Sequence, residues 1–265
     1  MKYDYLIDAD FAALKVNLSI NDVVLFQSSK GRPEQFNSML NQWLKKGDNV
    51  CSVILDKVVK TGKEKPEEAA YLDKDENKKA KISIKSSEGG KELWSYIFSA
   101  SDVVELQFPY TNAKTQEHFS VVDEIPVWAW EGGPGIKRVA DVEPRLFDSF
   151  KIIYDAFFAA DVPRLVELSK IRNREMAASF HMAENDHVAE VKKSFQRVFS
   201  GKSPKQIDLR GPDDLLFEPA WHGHLFKVTT LDGRQPLSTL RDNYGLVIGY
   251  DVYLGWVNGD WVWVR

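Results

Sequence analysis

The spacing of apolar residues changes once along the chain, and this change limits the fold more than any other feature. Between residues 14 and 20 every second residue is apolar, which is typical of a strand with one buried face. From Leu146 to Phe158 apolar residues recur instead at helical spacing. The glycine-rich run 132–135, which continues neither a strand nor a helix well, lies between the two patterns. We therefore expect an α+β protein in which a sheet domain precedes a domain with helices.

An antiparallel β-sandwich is the fold predicted for the first half. Asn21-Asp22 is a turn signal, and Val23 to Phe26 returns as the second strand of a hairpin. Residues 36–44 have helical spacing and predict one or two helical turns, and the charged segment 60–81 predicts an exposed excursion. Further strand signals are spaced as in a sandwich and lie at 50–59, 80–84, 93–98, 103–108 and 118–122.

Three features follow one another in this half: the motif Ile20-Asn21-Asp22-Val23, the segment LNQWLKKGDN at 40–49, and the apolar strand 50–55. In this order they resemble the galactose-binding-like jelly-roll domains, over residues 11–55. The resemblance implies a β-sandwich. It does not imply sugar binding, because such domains also serve as scaffolds and interaction modules.

Three helices followed by a sheet are predicted for the second half. The first helix covers 146–158, and Asp161 caps a second that has Pro163 in its first turn and continues to Phe180. A third begins near Val188 and ends at Gly201. Two hairpins are then expected, 225–231 with 235–240 around Asp232-Gly233, and 246–257 with 260–264 around Asn258-Gly259.

The order of these elements, the segment YDAFFAADVPRL at 154–165 and the closing sequence NGDWVWV at 258–264 resemble the NTF2-like superfamily, over residues 143–265. The resemblance implies a cone-shaped fold with a pocket between the first helix and a curved antiparallel sheet. The candidate site residues that it implies are Tyr154, His222, His224, Asp251 and Tyr253, with a histidine as acid or base.

The domain organisation predicted from these patterns has a β-sandwich domain at 1–131, a linker at 132–142 and an α+β domain at 143–265. In the alternative interpretation, Trp128 and Trp130 dock against the second half and make one cooperative unit.

Charge and composition exclude several classes of function. The chain has 35 basic and 39 acidic side chains, a net charge of −4, and neither half has the basic excess that nucleic-acid binding usually needs. No apolar run approaches the length of a bilayer span, and acidic residues interrupt the start where a secretory signal would lie. We expect a cytoplasmic protein with no cofactor. The single Cys51 lies in an apolar run and is interpreted as a buried small hydrophobe.

Histidines are the residues with the clearest capacity for catalysis or metal binding. His222 and His224 share a face if their segment is a strand, and such a pair can bind a metal or act as acid and base. The alternative is two half-exposed imidazoles beside a turn glycine. The cluster of His181, Glu184 and His187 is interpreted as a surface junction, and we expect no metal site.

Paired tryptophans are the second chemical feature. Residues 128 and 130 share a face, as do 261 and 263, and such pairs form either binding platforms or parts of a core. Trp256 and Trp261 therefore join Tyr154 and Tyr253 as ligand-binding candidates.

A non-enzymatic protein-binding module is the function favoured by these features, because the chain has no nucleophile elbow, HExxH, P-loop or CxxC motif. By analogy, a more specific form of this hypothesis is an immunity or accessory protein of a bacterial toxin-delivery system. Two alternatives stay open. The second half is a small-ligand-binding domain or an enzyme, or the first half binds carbohydrate through an exposed aromatic shelf.

Overall fold

The structure is a computed structural model, and it describes residues 4–12, 14–28, 34–57, 79–87, 90–99, 112–123, 125–136, 138–241 and 245–265. The chain divides into two units, Met1–Ile125 and Pro126–Arg265. The first contains antiparallel sheets, and the second combines helices with an antiparallel sheet. The predicted α+β class is confirmed.

The first unit is built from two antiparallel sheets that share one core. The strands are β1 (Tyr5–Ala12), β2 (Leu14–Ile20), β3 (Val23–Ser28), β4 (Glu34–Met39), β5 (Gly47–Lys57), β6 (Lys79–Ser86), β7 (Glu92–Ser99) and β8 (Asn112–Val121). Their orders are β4-β1-β6-β7 and β3-β2-β5-β8. Ile7 and Ile84 from one sheet and Leu18 and Val53 from the other belong to the same buried cluster. The arrangement is β-sandwich-like, as the alternating pattern predicts.

The predicted hairpin between β2 and β3 is confirmed. Asn21 (φ 50°) and Asp22 (φ 65°) form a two-residue turn, and Ile20 lies opposite Val23. Positive φ at both central positions is typical of the turn that matches the twist of antiparallel strands.

Strand β4 replaces the helical turns expected at 36–44. Residues Glu34–Met39 pair with β1, and only Asn41–Trp43 forms a short 3-10 helix. The extended form is favoured because β1 hydrogen-bonds to it, and β1 alternates buried residues from Tyr5 to Phe11. The same alternation is present in the sequence of residues 5–11, but the strands expected from the sequence do not include this segment. The strand predicted at 103–108 and the excursion as far as residue 78 lie outside the described residues.

Buried asparagines hold the segment between β4 and β5. The Asn49 carboxamide oxygen accepts from Lys45 N (3.0 Å) and Asn21 Nδ2 (2.9 Å), while Asn49 Nδ2 donates to Lys45 O (2.8 Å) and Gly47 O (3.0 Å). Asn21 Oδ1 accepts from Val50 N at 3.0 Å. These asparagines carry the jelly-roll resemblance, and in this structure they bond to backbone and to each other. Their role is to satisfy buried backbone groups.

Replacing Asn49 by Ala is expected to destabilise the first unit by about 2–4 kcal/mol, because it leaves several part-buried backbone donors and acceptors without the partner that Asn49 provides. The matched control is Asn37→Ala on the exposed face of β4, where a single bond to Asp8 is lost and a change within about 0.5 kcal/mol is expected. Urea unfolding measures both changes. Equal effects of the two substitutions would contradict the structural role of Asn49.

The second unit combines four described α-helices with a four-stranded sheet. The helices are α1 (Glu143–Phe158), α2 (Val162–Leu168), α3 (Lys170–Ser179) and α4 (Glu184–Gly201). The strands are β9 (Leu215–Ala220), β10 (Leu225–Thr230), β11 (Leu237–Ser238), β12 (Gly249–Tyr250), β13 (Val252–Val257) and β14 (Asp260–Trp263). The main sheet has the order β14-β13-β10-β9, and β11 pairs with β12. Phe150 and Phe157 of α1 share a buried core with Phe226, Leu254 and Trp263 of the sheet.

The second predicted helix is divided in two at Ser169. Asp161 caps α2 as expected, since its side chain accepts from Arg164 N at 3.0 Å. At the division, the fully buried Ser169 hydroxyl donates to Leu165 O (2.7 Å) and accepts from Asn173 Nδ2 (3.0 Å). A serine that bonds back to the preceding turn bends or breaks a helix.

The two predicted C-terminal hairpins have different outcomes. The hairpin of β13 and β14 forms around Asn258 (φ 53°) and Gly259 (φ 96°). The chain also turns at Asp232-Gly233, but the strand after this turn does not pair with β10. Both edges of β10 are already paired, with β9 and β13, so the returning chain pairs with β12 instead.

Candidate functional site

Three irregular segments of the second unit are held together by backbone hydrogen bonds. Lys205 N donates to Ser238 O (2.7 Å) and Leu240 N donates to Ser203 O (2.8 Å), which joins the segment after α4 to the end of β11. On the other side, Thr239 N donates to Ile248 O at 2.9 Å. The side chains of these segments therefore have fixed positions relative to one another although little of the backbone is in regular strands.

The turn after β10 supplies the third wall. Thr230 N donates to Arg234 O (2.9 Å), Gly233 N donates to Thr230 O (2.7 Å), and the Thr230 hydroxyl donates to Asp232 Oδ1 (2.6 Å). Gly233 has φ of 76°, a conformation that glycine adopts without strain. This compact turn presents Arg234 next to the segments described above.

These segments enclose a half-open cleft of about 720 Å³, which we call the cationic cleft. Among the residues that the structure describes, its charged lining residues are Lys205, Arg234 and Arg241, and no acidic one lines it. Leu240 and Val247 also line it and are 52% and 42% exposed. The cleft thus combines positive charge with apolar side chains that are open to solvent.

The three cationic side chains of the cleft differ in whether an acidic side chain neutralises their charge. Arg234 pairs with Asp232, and this contact holds the pKa of Asp232 well below its usual range. Lys205 and Arg241 make no ion pair with any residue that the structure describes. The Asp232 charge is therefore committed to Arg234, and positive charge is in excess at Lys205 and Arg241.

Tyr154, a candidate from the sequence, supports the wall of the cleft from behind. Its hydroxyl accepts from Ile207 N (2.8 Å) and donates to Ile207 O (3.1 Å), and Ile207 lines the cleft. The ring is 6% exposed and stacks on Phe158 at 6.1 Å. Tyr154 positions the wall, and its hydroxyl is occupied by the backbone.

His222 and His224 lie in a tight turn between β9 and β10, not on a strand. Trp221, His222 and Gly223 all have positive φ, at 48°, 55° and 82°. A Cβ on Gly223 would come within 2.3 Å of Ile136 O, so only glycine fits there. The premise that the two imidazoles share a strand face is wrong. His222 is exposed and His224 is half-buried.

Asp251 and Tyr253 lie at the start of β13. The exposed Asp251 carboxylate is 3.9 Å from Lys227 Nζ. Tyr253 is 4% exposed, and burial, together with the charges of Asp251 and Glu218, raises its pKa. A buried phenol that holds its proton so firmly is a poor acid catalyst near neutral pH. Neither residue lines the cationic cleft.

Trp256 and Trp261 form an edge-to-face pair with ring centroids 5.3 Å apart. Trp261 is 4% exposed and also meets Phe226 edge-on at 5.4 Å, while the Arg145 guanidinium lies 4.6 Å above the half-buried Trp256 ring. The pair is packed into the core of the second unit and offers no open platform.

Trp128 and Trp130 are buried around an ion pair. Glu175 Oε2 accepts from Arg265 Nη1 (2.5 Å) and from Trp130 Nε1 (3.1 Å), and Glu175 Oε1 accepts from Ala129 N (2.6 Å). The Arg265 guanidinium lies 4.6 Å from the ring centroid of Trp128 and 5.7 Å from that of Trp130. Burial lowers the pKa of Arg265, and Glu175 opposes this change. Sequence reasoning did not single out either charged residue.

The cluster of His181, Glu184 and His187 lies where α4 begins. His181 and Glu184 are exposed, whereas His187 is half-buried. Burial and the nearby Arg172 lower the pKa of His187, so its imidazole is neutral at pH 7. Among the residues that the structure describes, no group of three or more His, Cys, Asp or Glu side chains is placed to hold a metal ion.

A polar groove of about 380 Å³ lies on the outer face of the first unit. It is lined by Asp8, Asp10 and Lys81 among others, and its aromatic lining residue is Phe36. The Phe36 ring is half-buried and packs on Phe26 with centroids 5.1 Å apart. The described residues of the groove therefore do not form the open aromatic shelf that the carbohydrate hypothesis requires.

Comparison with known proteins gives no relative: no family model, no curated protein and no solved structure matches the chain. The two family resemblances drawn from short motifs thus receive no support from these comparisons. No described helix is both long enough and apolar enough to cross a bilayer.

Breaking the buried ion pair is expected to destabilise the second unit strongly. Glu175→Gln removes the carboxylate that pairs with the buried Arg265 guanidinium, at an expected cost of about 3–5 kcal/mol. Glu167→Gln is the control, since it removes the exposed pair with Lys170 and should change stability by less than about 0.5 kcal/mol. Denaturant unfolding measured by tryptophan fluorescence reports both. The double variant Glu175→Met/Arg265→Met should cost less than Glu175→Gln alone, and a larger cost would contradict this account.

Cys51 is expected to be unreactive in the folded protein. It is fully buried on β5, and burial, with a smaller effect of Glu117, raises the pKa of its thiol to about 12. The reactive thiolate is therefore negligible at pH 8. A disulfide reagent such as DTNB should titrate no thiol in buffer and one thiol in concentrated urea. Rapid reaction of the native protein would show that this buried description is wrong.

Proposed function

We propose that the protein is a non-enzymatic protein-binding module and that the cationic cleft is its binding surface. The observation that carries this proposal is the exposure of Leu240 and Val247 in a cleft whose described charged lining residues are all basic. Leu231 and Leu246, next to lining residues in the chain, are also exposed, at 61% and 56%. Clustered exposed apolar side chains rimmed by polar ones are typical of protein interaction sites.

The position of the chemically reactive residues supports binding over catalysis. Acid–base catalysis needs a titratable group within hydrogen-bond reach of a bound substrate. Within the described residues, the cleft lining contains no histidine, cysteine or carboxylate, and the Tyr154 hydroxyl behind it bonds to the Ile207 backbone. This arrangement favours a surface that recognises a partner.

Purification of the complex from extracts of the source organism tests this proposal. Tagged wild-type protein is expected to retain a stoichiometric partner, and Leu240→Asp/Val247→Asp should reduce its recovery at least about tenfold, because desolvated carboxylates would replace apolar contacts. Ile97→Asp/Val122→Asp, two exposed apolar residues of the first unit, is the matched control and should retain the partner. If the partner is itself a delivered toxin, the immunity or accessory form of the proposal is supported.

Two results would contradict the proposal. One is the absence of any stoichiometric partner for the wild-type protein. The other is equal recovery by the wild-type protein and by the cleft variant, which would place binding on another surface.

A further inference from the structure

We propose that the cationic cleft takes an acidic segment of the partner protein, with carboxylates at Lys205 and Arg241 and an apolar side chain against Leu240 and Val247. This inference rests on the proposed function and names the chemistry of the partner. The volume of about 720 Å³ lies in the range of sites that enclose a drug-sized molecule, so a short peptide segment matches the cleft better than a broad, flat protein face.

Only one of the three cations is neutralised by a neighbouring carboxylate among the described residues, and this difference determines where the partner's charges bind. Asp232 is bonded to Arg234, to Thr230 and to the turn backbone, and its lowered pKa keeps it ionised. Arg234 is therefore already neutralised. Lys205 and Arg241 make no ion pair with any described residue, so they attract incoming carboxylates most strongly. Arg241 can bind one through two parallel hydrogen bonds, while Lys205 acts as a compact point charge.

The sign of the cleft differs from the sign of the whole chain. The protein has a net charge of −4, yet every charged residue that the structure describes in the lining of the cleft is basic. A local positive region on an acidic protein concentrates acidic ligands there and disfavours basic ones. Charge thus selects the class of partner, and the apolar pair Leu240 and Val247 supplies contact area.

Nucleic acid is also acidic, but the cleft lacks the feature that single strands require. Proteins that bind single-stranded nucleic acid stack the bases on aromatic side chains. The lining residues in the described part of the chain include no aromatic one, and the apolar ones are the aliphatic Ile207, Leu240 and Val247. Aliphatic contacts favour leucine, isoleucine or valine side chains of a peptide.

Selection from a random 12-residue peptide display library against the immobilised full-length protein tests this inference. The wild-type protein is expected to enrich peptides that carry at least two acidic residues next to an aliphatic one. Lys205→Glu/Arg241→Glu should weaken the selected peptides at least about tenfold in fluorescence anisotropy. The matched control, Arg174→Glu/Lys192→Glu, changes the net charge equally at two exposed helical positions and should bind as the wild type does. Raised salt should weaken wild-type binding.

The outcomes separate this inference from the proposed function. Enrichment of basic or uncharged peptides that the Leu240→Asp/Val247→Asp variant fails to bind would overturn the acidic partner and leave the binding module standing. Enrichment of no peptide, or of peptides that all variants bind equally, would overturn the inference, and the purification experiment then decides on the module. A 20-nucleotide single-stranded DNA that binds more tightly than the selected peptides, and only with Lys205 and Arg241 present, would also overturn it.

Discussion

The second unit depends on one buried carboxylate. Glu175 of α3 accepts hydrogen bonds from the backbone at Ala129, from the Trp130 indole and from the Arg265 guanidinium. These groups lie 46, 45 and 90 residues away along the chain. A buried carboxylate is tolerated only when its oxygens are fully bonded and its charge is balanced. The segment containing Trp130 and the region around Arg265 must therefore be in place together, and this requirement couples distant parts of the sequence.

Pairing within the sheet determines where the candidate site can form. Because β9 and β13 occupy both edges of β10, the chain after Thr230 turns but cannot continue as a β10 partner. It forms instead a short ladder, in which β11 pairs with β12 and Pro204 bridges Thr239. Short ladders leave long connecting segments without regular structure, and such segments present their side chains to solvent. The cationic cleft thus forms where the returning chain cannot pair with β10.

Local patterns predict the parts of the fold that depend on sequence neighbours. The alternation of apolar residues predicts β2 and its hairpin, and apolar residues at helical spacing predict α1. In α1, Phe150 and Phe157 are fully buried while Phe158 is exposed. The missed elements have two different causes. Strand β4 forms because it pairs with β1, which lies far from it in the sequence. The division at Ser169 follows from a local side-chain hydrogen bond to Leu165 O, which the spacing of apolar residues does not contain.

The candidate site was less predictable for the same physical reason. Lys205, Arg234 and Arg241 belong to three connections, and each is an ordinary surface cation in the sequence. The histidine pair had a stronger sequence signal, but positive φ at three successive residues removes the strand geometry on which that signal rested. Tyr154 was identified as a candidate from the sequence, yet its hydroxyl holds the Ile207 backbone and reaches the cleft only through that wall. Backbone hydrogen bonds between these connections bring the three charged side chains together, so no regular spacing in the sequence marks them as a group. The meaning of this group lies in the sign and exposure of the assembled surface, which here is basic and partly apolar among the described residues.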